Sequence, residues 1–233
     1  MDLSLLSRLN EERAHRRAAV LVTDLQTHTQ RLVLESEIAR DPLSALLSDA
    51  LRMCKSGVVE HEGHKFFLTV QAPVIRIIAI GAVHISQALV PMAKQLGHDV
   101  IIVDPREAFA SPERFPDVTI HAEWPDVALP KLGADRYTAY LLLTHDPKID
   151  DAALNFALKS HAFYIGALGS RKTHGKRIER LQASGFDEQA IKRIHAPIGL
   201  NIGAISPAEI ALSILGEITA KLRLKPDGTK IGN

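Results

Sequence analysis

Short apolar segments alternate with segments of helical periodicity over residues 74–220, and this alternation restricts the fold more than any other feature of the sequence. The segments 75–80, 99–103 and 139–143 are five or six residues long and apolar at most positions, which is typical of strands buried on both faces. Each is followed by a stretch with helical spacing or by a loop that leads into one. The pattern predicts an α/β fold in which helices cover both faces of a parallel sheet.

The remaining elements of this region follow from the same periodicity. We expect further strands at 118–121 and 162–165, and helices at 85–96, 149–157 and 171–183. A last helix should begin at Pro207, because Ser206 and Glu209 have the spacing of a capping box and proline suits the first helical position.

The first 72 residues have a different, mixed pattern that predicts a small α+β domain. An amphipathic helix opens the chain, the strands 18–23 and 31–34 follow, and a hairpin is expected from strands at 58–60 and 65–70. Between them we predict a helix capped by Asp41, with Pro42 at its first position and Cys54 as a buried thiol on its apolar stripe. The predicted boundaries are therefore 1–72, 73–220 and a tail at 221–233.

Composition excludes several classes of protein. The chain of 233 residues is 46% hydrophobic, enough for a buried core, and its net charge of +1 with 5% aromatic residues argues against a nucleic-acid-binding protein. The single cysteine excludes an intramolecular disulfide. The charged N-terminal segment lacks the apolar core of a signal peptide, and no apolar run approaches a membrane span, so we expect a cytoplasmic protein without a membrane partner.

The loop after the first long strand has the position of a dinucleotide-binding fingerprint. Gly81 provides its first glycine, but Val83 stands where a second glycine would let a pyrophosphate approach the backbone. His84 follows in the same loop, and Asp104 with Arg106 ends the next strand, where an acid usually binds ribose hydroxyls. The loop therefore indicates a nucleotide or phosphate site, while Val83 argues against NAD(P).

Polar residues also end the strand at 139–143. Thr144, His145 and Asp146 combine a hydroxyl, an imidazole and a carboxylate at the edge where ligands bind in parallel sheets. Capping of the next helix would explain Asp146 alone. We therefore interpret all of them as lining a ligand pocket.

The following loop, 164–172, has the composition of an anion site. Gly166, Gly169, Ser170, Arg171 and Lys172 precede or begin a helix, whose N-terminal N–H groups and dipole favour an anionic group. The later cations at 176, 177 and 180 would fit a solvated basic helix equally well.

A last glycine-punctuated loop, 195–203, contains the candidates His195 and Gly199. His84 and His145 lie at predicted strand ends and His195 lies in this candidate ligand loop, whereas His174 and the other histidines have the pattern of surface or edge residues. His61 and His64 lie at the predicted hairpin tip without a third ligand nearby, so we assign no metal ligand, and we assign no catalytic residue.

Several of these segments, in this order, resemble the XdhC/CoxI family over about residues 65–220. The matching segments are GAVHISQAL, VDPR, RFPD, LLTHD, YIGALGSRKT, IHAPIGLNIGA and SPAEIALSILGEI. The resemblance implies a Rossmann-like domain and an accessory chaperone, rather than an enzyme of substrate turnover. Such a protein would bind molybdenum cofactor, as molybdopterin or its dinucleotide form, and deliver it to an apo molybdenum hydroxylase of the xanthine dehydrogenase type.

The resemblance also has departures. Val83 replaces the second glycine of the family's GAGH, Asn201 replaces an aspartate, and the N-terminal region lacks the family's Gly-Gly-Cys motif. We do not transfer the role of that cysteine to Cys54. A degenerate N-terminal domain would suit a shortened paralogue whose partners include a cofactor sulfurase or a separate protein with an XdhC-type N-domain. The family also implies a homodimer.

Two alternatives remain from the sequence. One is an NAD(P)-dependent oxidoreductase with an atypical fingerprint, which Asp104 favours and Val83 opposes. The other is a docking protein that bridges the target enzyme to another factor without binding cofactor.

Overall fold

The structure is a computed structural model that describes residues 3–224 and 228–229. The chain divides into two compact units, one of Met1–Pro73 with Lys221–Asn233 and the other of Val74–Ala220. None of the helices in the described ranges combines the length and apolar content that crossing a bilayer requires.

The first unit is a small α+β unit with an antiparallel sheet. Its elements are α1 (Leu3–Ala14), β1 (Ala19–Asp24), β2 (Gln30–Leu34), a 3-10 helix (Glu35–Arg40), α2 (Ser44–Met53), β3 (Gly57–His61) and β4 (His64–Gln71). The strand order is β2-β1-β4-β3. Ala19, Leu21 and Leu32 point to one face of this sheet, where Leu5 and Leu9 of α1 pack against them. The predicted hairpin and opening amphipathic helix are confirmed.

Two details of this unit differ from the sequence predictions. The helix α2 begins at Ser44 rather than at Pro42, because the Asp41 carboxylate accepts hydrogen bonds from the Arg31 side chain and from Leu43 N instead of capping the helix. The buried thiol predicted at Cys54 is wrong. Cys54 is exposed and follows α2 with a left-handed φ of 48°, because the helix ends just before the last residue of the apolar stripe.

The second unit is an α/β unit built on a parallel sheet. Its elements are β5 (Arg76–Ile80), α3 (His84–Gln95), β6 (Asp99–Val103), β7 (Thr119–His121), α4 (Pro125–Leu132), β8 (Thr138–Leu142), α5 (Pro147–Ala157), β9 (Tyr164–Ala167), α6 (Arg171–Ala183), α7 (Glu188–Ile191), β10 (Ile194–His195) and α8 (Pro207–Arg223), of which α8 belongs to this unit as far as Ala220. The strand order is β10-β9-β8-β5-β6-β7, and neighbouring strands are parallel. The predicted Rossmann-like fold is confirmed.

This order reverses direction at β5. From β5 the chain passes through α3 to β6 on one side, and later returns to place β8 on the other side of β5. Loops that leave the carboxyl ends of β5 and β8 therefore diverge, and the resulting crevice is where ligands bind in such sheets.

Alternation along the strands divides the core between the two faces. Ile78, Tyr140 and Ile165 point to the face covered by α4, α5 and α6, where they form one continuous apolar cluster. Tyr164 points the opposite way and meets α8 through Glu217. Buried residues of both strand faces account for the continuous apolar runs in the sequence.

Several element boundaries differ from those predicted. The strand expected at 162–165 lies at Tyr164–Ala167, and α4, α7 and β10 were not predicted. The capping box is confirmed, since Glu209 N donates to Ser206 Oγ and Ser206 N donates to the Glu209 carboxylate. The segment predicted as a tail begins inside α8, which continues to Arg223. Residues 225–227 and 230–233 of that segment lie outside the described residues.

A buried hydroxyl in this core leads to a prediction about stability. Tyr140 Oη has no hydrogen-bond partner in the described part of the chain, and the residue is fully buried. An unpaired buried hydroxyl is destabilising, so Tyr140→Phe should raise the free energy of unfolding, measured by urea denaturation, by about 1 kcal/mol.

Tyr164→Phe is the matched control. Tyr164 Oη donates a hydrogen bond to Glu217, so its removal should lower the free energy of unfolding by about 1 kcal/mol. A loss of stability in Tyr140→Phe would contradict the prediction and indicate an ordered water between Tyr140 Oη and Arg76 Nε, which also lacks a partner in the described residues.

Candidate functional site

The loops after β5 and β8 come into contact at Gly81. This residue has a φ of 119°, which favours glycine, and a Cβ there would lie 2.9 Å from Thr144 Cγ2 and 3.4 Å from the Leu143 carbonyl carbon. The Gly81 carbonyl oxygen also accepts a 2.5 Å hydrogen bond from Ser86 Oγ in α3. Glycine is therefore required for the close approach of the two loops at the base of the crevice.

Asp104 and Arg106, which follow β6, bind each other. Arg106 Nε and Nη2 donate to the Asp104 carboxylate at 2.8 and 2.7 Å, and Ala82 N donates to Asp104 Oδ2 at 2.8 Å. Complete burial would raise the pKa of Asp104, but these hydrogen bonds outweigh it and hold the pKa below its ordinary value. The carboxylate is thus committed to the protein and cannot also accept ribose hydroxyls without displacing Arg106.

The segment 82–84 opens α3. Val83 precedes the helix with extended φ and ψ and is half-buried, whereas His84 is exposed in the first turn. Arg114, a residue that sequence reasoning did not single out, donates to the Ala82 carbonyl oxygen at 3.0 Å and to Gln87 Oε1 at 3.0 Å. Arg114 therefore holds this loop in place from the side of β6 and β7.

The loop after β8 exposes a histidine in an uncommon backbone conformation. His145 has a φ of 62°, a left-handed value that costs a non-glycine residue about 1 kcal/mol or more, and its side chain is exposed. Asp146 caps α5 by accepting a hydrogen bond from Lys148 N at 2.9 Å, which is the alternative role that the sequence allowed for this residue beside a ligand contact. The hydrogen bonds with Asp104 raise the pKa of Arg106 above its ordinary value, and the Asp146 and Asp150 carboxylates add to this effect.

A buried polar chain connects the loops after β8 and β9. Thr144 Oγ1 donates to Asp150 Oδ1 at 2.6 Å, Asp150 Oδ2 lies 3.8 Å from Arg177 Nη2, and Arg177 Nη2 donates to the Leu168 carbonyl oxygen at 2.9 Å. Asp150 and Arg177 are each 2% exposed. Burial raises the pKa of Asp150 and lowers the pKa of Arg177, in each case against the attraction of the other charge.

The guanidinium of Arg177 is only partly satisfied. Its Nε and Nη1 are buried and have no hydrogen-bond partner in the described residues, and the same holds for Nδ1 of the half-buried His174 one turn away. Arg177 is therefore not part of a solvated basic face, and His174 is not a plain surface residue. These orphaned groups lie in α6, below the loop that the sequence indicates as an anion site.

The loop 166–172 has two parts with different roles. Gly166 lies inside β9, and a Cβ there would come within 2.5 Å of Ile198, so this glycine serves packing. Gly169 has a φ of 127°, and Ser170 caps α6 by accepting a hydrogen bond from Thr173 N at 3.2 Å. Arg171 and Lys172 are exposed in the first turn. The second part therefore presents cations beside the N–H groups of a 13-residue helix.

His195 and Gly199 meet at the carboxylate of Glu217 in α8. His195 Nδ1 lies 2.8 Å from Glu217 Oε1, and Gly199 N donates to Oε2 at 2.8 Å. Tyr164 Oη donates to the same carboxylate. Glu217 fixes the position of both candidates, and the register of β10 with β9 places His195 beside a further predicted site residue, Gly166.

The sequence did not indicate Asp150, Arg177, Glu217 or Arg114. A charge within an amphipathic helix gives no local signal of burial, so Arg177 and Glu217 have the same pattern as solvated residues. The RFPD segment does contain Arg114, but nothing in it indicates the contact with Ala82. Among the described residues, no group of three or more His, Cys, Asp or Glu side chains is arranged to hold a metal ion.

The strand order and the reversal at β5 define this unit as a Rossmann-type α/β domain. A family model described as the XdhC Rossmann domain matches residues 77–218. The chain therefore belongs to the XdhC family.

Three relatives of this chain have related sequences over about two thirds of its length. The chain is 34% identical to YqeB of Escherichia coli over 70% of its length and 30% of that protein. It is 31% identical to the E. coli molybdenum cofactor insertion chaperone PaoD over 65% of its length and 41% of PaoD. It is 32% identical to a probable xanthine dehydrogenase subunit from Bacillus subtilis over 63% of its length and 42% of that protein. The chain thus spans less than half the length of these relatives.

A solved structure shares the fold. The crystal structure described as a xanthine dehydrogenase from Bacillus halodurans superposes with a TM-score of 0.70 at 24% identity, covering 95% of this chain and 68% of the other.

The Asp104–Arg106 pair predicts a dependence of stability on pH. Because the pKa of Asp104 is lowered on folding, its contribution is present above the unfolded-state pKa of about 4 and is lost as pH falls through the folded value. Asp104→Asn should therefore lower the free energy of unfolding at pH 7 by about 2 kcal/mol and should flatten its fall between pH 5 and pH 3.

Urea denaturation at pH 7, 5 and 3 measures both effects. Arg106→Gln is the companion variant, since it removes the guanidinium charge and its two hydrogen bonds, and it should partly reduce the loss of stability in acid while the backbone donors of Ala82 and residue 106 remain. If the free energy of unfolding of Asp104→Asn fell between pH 5 and pH 3 as steeply as that of the wild type, the stabilising role of the ionised Asp104 would be contradicted.

Proposed function

We propose that this chain binds molybdenum cofactor and passes it to the apo form of a molybdenum hydroxylase of the xanthine dehydrogenase type. It acts as a maturation factor and does not turn over the hydroxylase's substrate. Membership of the XdhC family and the name of PaoD, a molybdenum cofactor insertion chaperone, support the proposal. Within the structure, the observation that carries it is the cationic N-terminus of α6 at the edge of the crevice.

The chemistry of this N-terminus suits the phosphate of a pterin cofactor. Backbone N–H groups after Gly169 and the side chains of Arg171 and Lys172 are donors with positive charge or partial charge, and no acidic residue occupies the first turn. The buried Arg177 adds a further cation below the same loop. Both molybdopterin and its dinucleotide form carry the phosphate that these groups would bind.

The neighbouring loop would contact the rest of the cofactor. Thr144 and Asp146 are held by the network with Asp150 and by the α5 cap, so they form a rigid wall of the crevice. His145 projects from this wall with an exposed imidazole. We assign His145 to the pterin or metal end, and His84 and Arg106 to the opposite wall.

The structure offers less support for an oxidoreductase that uses NAD(P). The Asp104 carboxylate, which would bind the ribose, is already occupied by Arg106 and by Ala82 N. Val83 keeps a β-branched side chain where the pyrophosphate would approach.

The proposed partners follow from the delivery role. They are an apo molybdenum hydroxylase, and a cofactor sulfurase or a separate protein with an XdhC-type N-domain that would supply the missing Gly-Gly-Cys motif. A homodimer remains the prediction for the oligomeric state.

Cofactor retention on gel filtration tests the proposal. Molybdenum cofactor released from a purified molybdenum enzyme would be mixed with the protein, and molybdenum content and pterin fluorescence would be measured in the protein peak. Loss of one charge-assisted hydrogen bond predicts that Arg171→Ala binds roughly tenfold more weakly. His145→Gly should also bind more weakly, while its unfolding free energy is unchanged or raised, because glycine adopts the left-handed φ without strain.

Lys192→Ala is the matched control. Lys192 is an exposed cation that pairs with Glu188 in α7, so its removal changes the net charge equally without touching the crevice. Absence of binding by the wild type would refute the proposed function. Equal binding by the wild type and the Arg171→Ala and His145→Gly variants would refute the assignment of the site. Tight binding of the hydroxylase without cofactor uptake would indicate the docking role instead.

A further inference from the structure

The Glu217 carboxylate joins separate segments at the β10 edge of the sheet. It lies in α8 and accepts hydrogen bonds from Tyr164 Oη in β9, from His195 Nδ1 in β10 and from Gly199 N in the following loop. The bonds divide between its oxygens, since Oε2 accepts from both Tyr164 and Gly199 while Oε1 faces His195. Such a division fixes the orientation of the carboxylate relative to the imidazole.

The imidazole of His195 is fixed from a second direction. Its ring centroid lies 4.7 Å from that of Tyr164 at an interplanar angle of 33°. A side chain at Gly199, whose φ is 90°, would collide with Ser213 in α8, so the loop that follows His195 can pack this closely only with glycine. The His195 side chain is still 27% exposed. One edge of the ring is therefore held by protein, and part of the ring remains accessible.

The network determines which ring nitrogen carries the proton. Burial would raise the pKa of Glu217, but the hydrogen bonds from His195, Tyr164 and Gly199 outweigh it and hold the pKa below its ordinary value. An ionised carboxylate only accepts hydrogen bonds, so Nδ1 must be the donor. In neutral His195 the unprotonated nitrogen is then Nε2, for which the described residues provide no hydrogen-bond partner.

We propose that Glu217 is a positioning residue that keeps the proton of His195 on Nδ1, so that Nε2 accepts a hydrogen bond from an N–H or O–H group of the bound cofactor. The register of β10 with β9 places His195 opposite Gly166 near the carboxyl ends of these strands, and β9 lies between β10 and β8, one of the two strands that form the crevice. The inference rests on the proposed function for the identity of the ligand, and on the structure alone for the tautomer.

The chemistry of Nε2 selects the part of the cofactor that it contacts. An unprotonated nitrogen accepts hydrogen bonds and cannot donate one to a phosphate oxygen, so neutral His195 does not suit the phosphate end of the cofactor. A pterin ring carries N–H groups that can donate to it. Neutral His195 would therefore contact the ring of the cofactor rather than its phosphate, which the α6 N-terminus would bind.

Glu217→Gln is the decisive variant because it keeps the shape of the side chain and reverses one hydrogen bond. Tyr164 Oη and Gly199 N both need an acceptor, so the glutamine oxygen should take the place of Oε2 and leave the amide NH2 facing His195. Nδ1 must then accept, and the proton moves to Nε2. Nitrogen-15 NMR of histidine-labelled full-length protein, with His195→Gln to assign the signals, should show Nδ1–H in the wild type and Nε2–H in Glu217→Gln.

Binding of molybdenum cofactor released from a purified molybdenum enzyme tests the role of Nε2. Glu217→Gln should bind roughly tenfold more weakly, since two donors would then face each other. His195→Asn keeps a donor near the Nδ1 position but lacks a group at Nε2, whereas His195→Gln can place a carbonyl oxygen near Nε2. We expect His195→Gln to retain more binding than His195→Asn, although His195→Asn should be the more stable of the two in urea.

The outcomes separate this inference from the proposed function. Wild type with Nε2–H, or His195→Asn binding as tightly as wild type, overturns the inference while cofactor binding itself stands. Absence of binding by the wild type overturns both the proposed function and the contact of His195 with the cofactor. The NMR result then decides separately whether Glu217 keeps the proton of His195 on Nδ1.

Discussion

The reversal of strand order at β5 is the constraint on which the candidate site depends. Because β6 and β8 flank β5 and their connections leave in opposite directions, a crevice opens above the carboxyl ends of β5 and β8. Gly81 then lets the loops from these strands approach closely at the base of that crevice. The crevice is thus a consequence of topology, and its walls are the loops whose polar residues the sequence already indicated.

Two hydrogen-bonded networks, one buried and one half-buried, connect segments near the carboxyl ends of β8, β9 and β10 from opposite faces of the sheet. On the α5 and α6 face, Asp150 and Arg177 connect Thr144 to the Leu168 carbonyl oxygen. On the α8 face, Glu217 connects β9, β10 and the loop at Gly199. Burying such charges is costly, and a charged pair with incomplete hydrogen bonding is weak support for stability. Precise placement of the loops is the physical advantage that this arrangement does provide.

Much of this architecture was accessible from the sequence. Apolar runs predicted the parallel strands, and the spacing of Ser206 and Glu209 predicted a cap that the structure contains. The roles of Arg177 and Glu217 could not be predicted from the sequence, because both are spaced along their helices like solvated residues. Their partners lie in segments that are distant in the sequence. Cys54 shows the converse failure, since its periodicity matched the core stripe although the helix ends before it.

Because Arg106 neutralises Asp104 within the protein, the ion pair affects how fast an anionic ligand associates with the crevice. A carboxylate that is neutralised by its own counter-ion adds little negative potential to the crevice, and the exposed Arg171 and Lys172 in the first turn of α6 add positive potential. A chain with a net charge of only +1 can then still steer a small dianion toward one end of its sheet. The association rate with such an anion should fall with ionic strength, because screening shortens the reach of this field to about 8 Å at physiological salt.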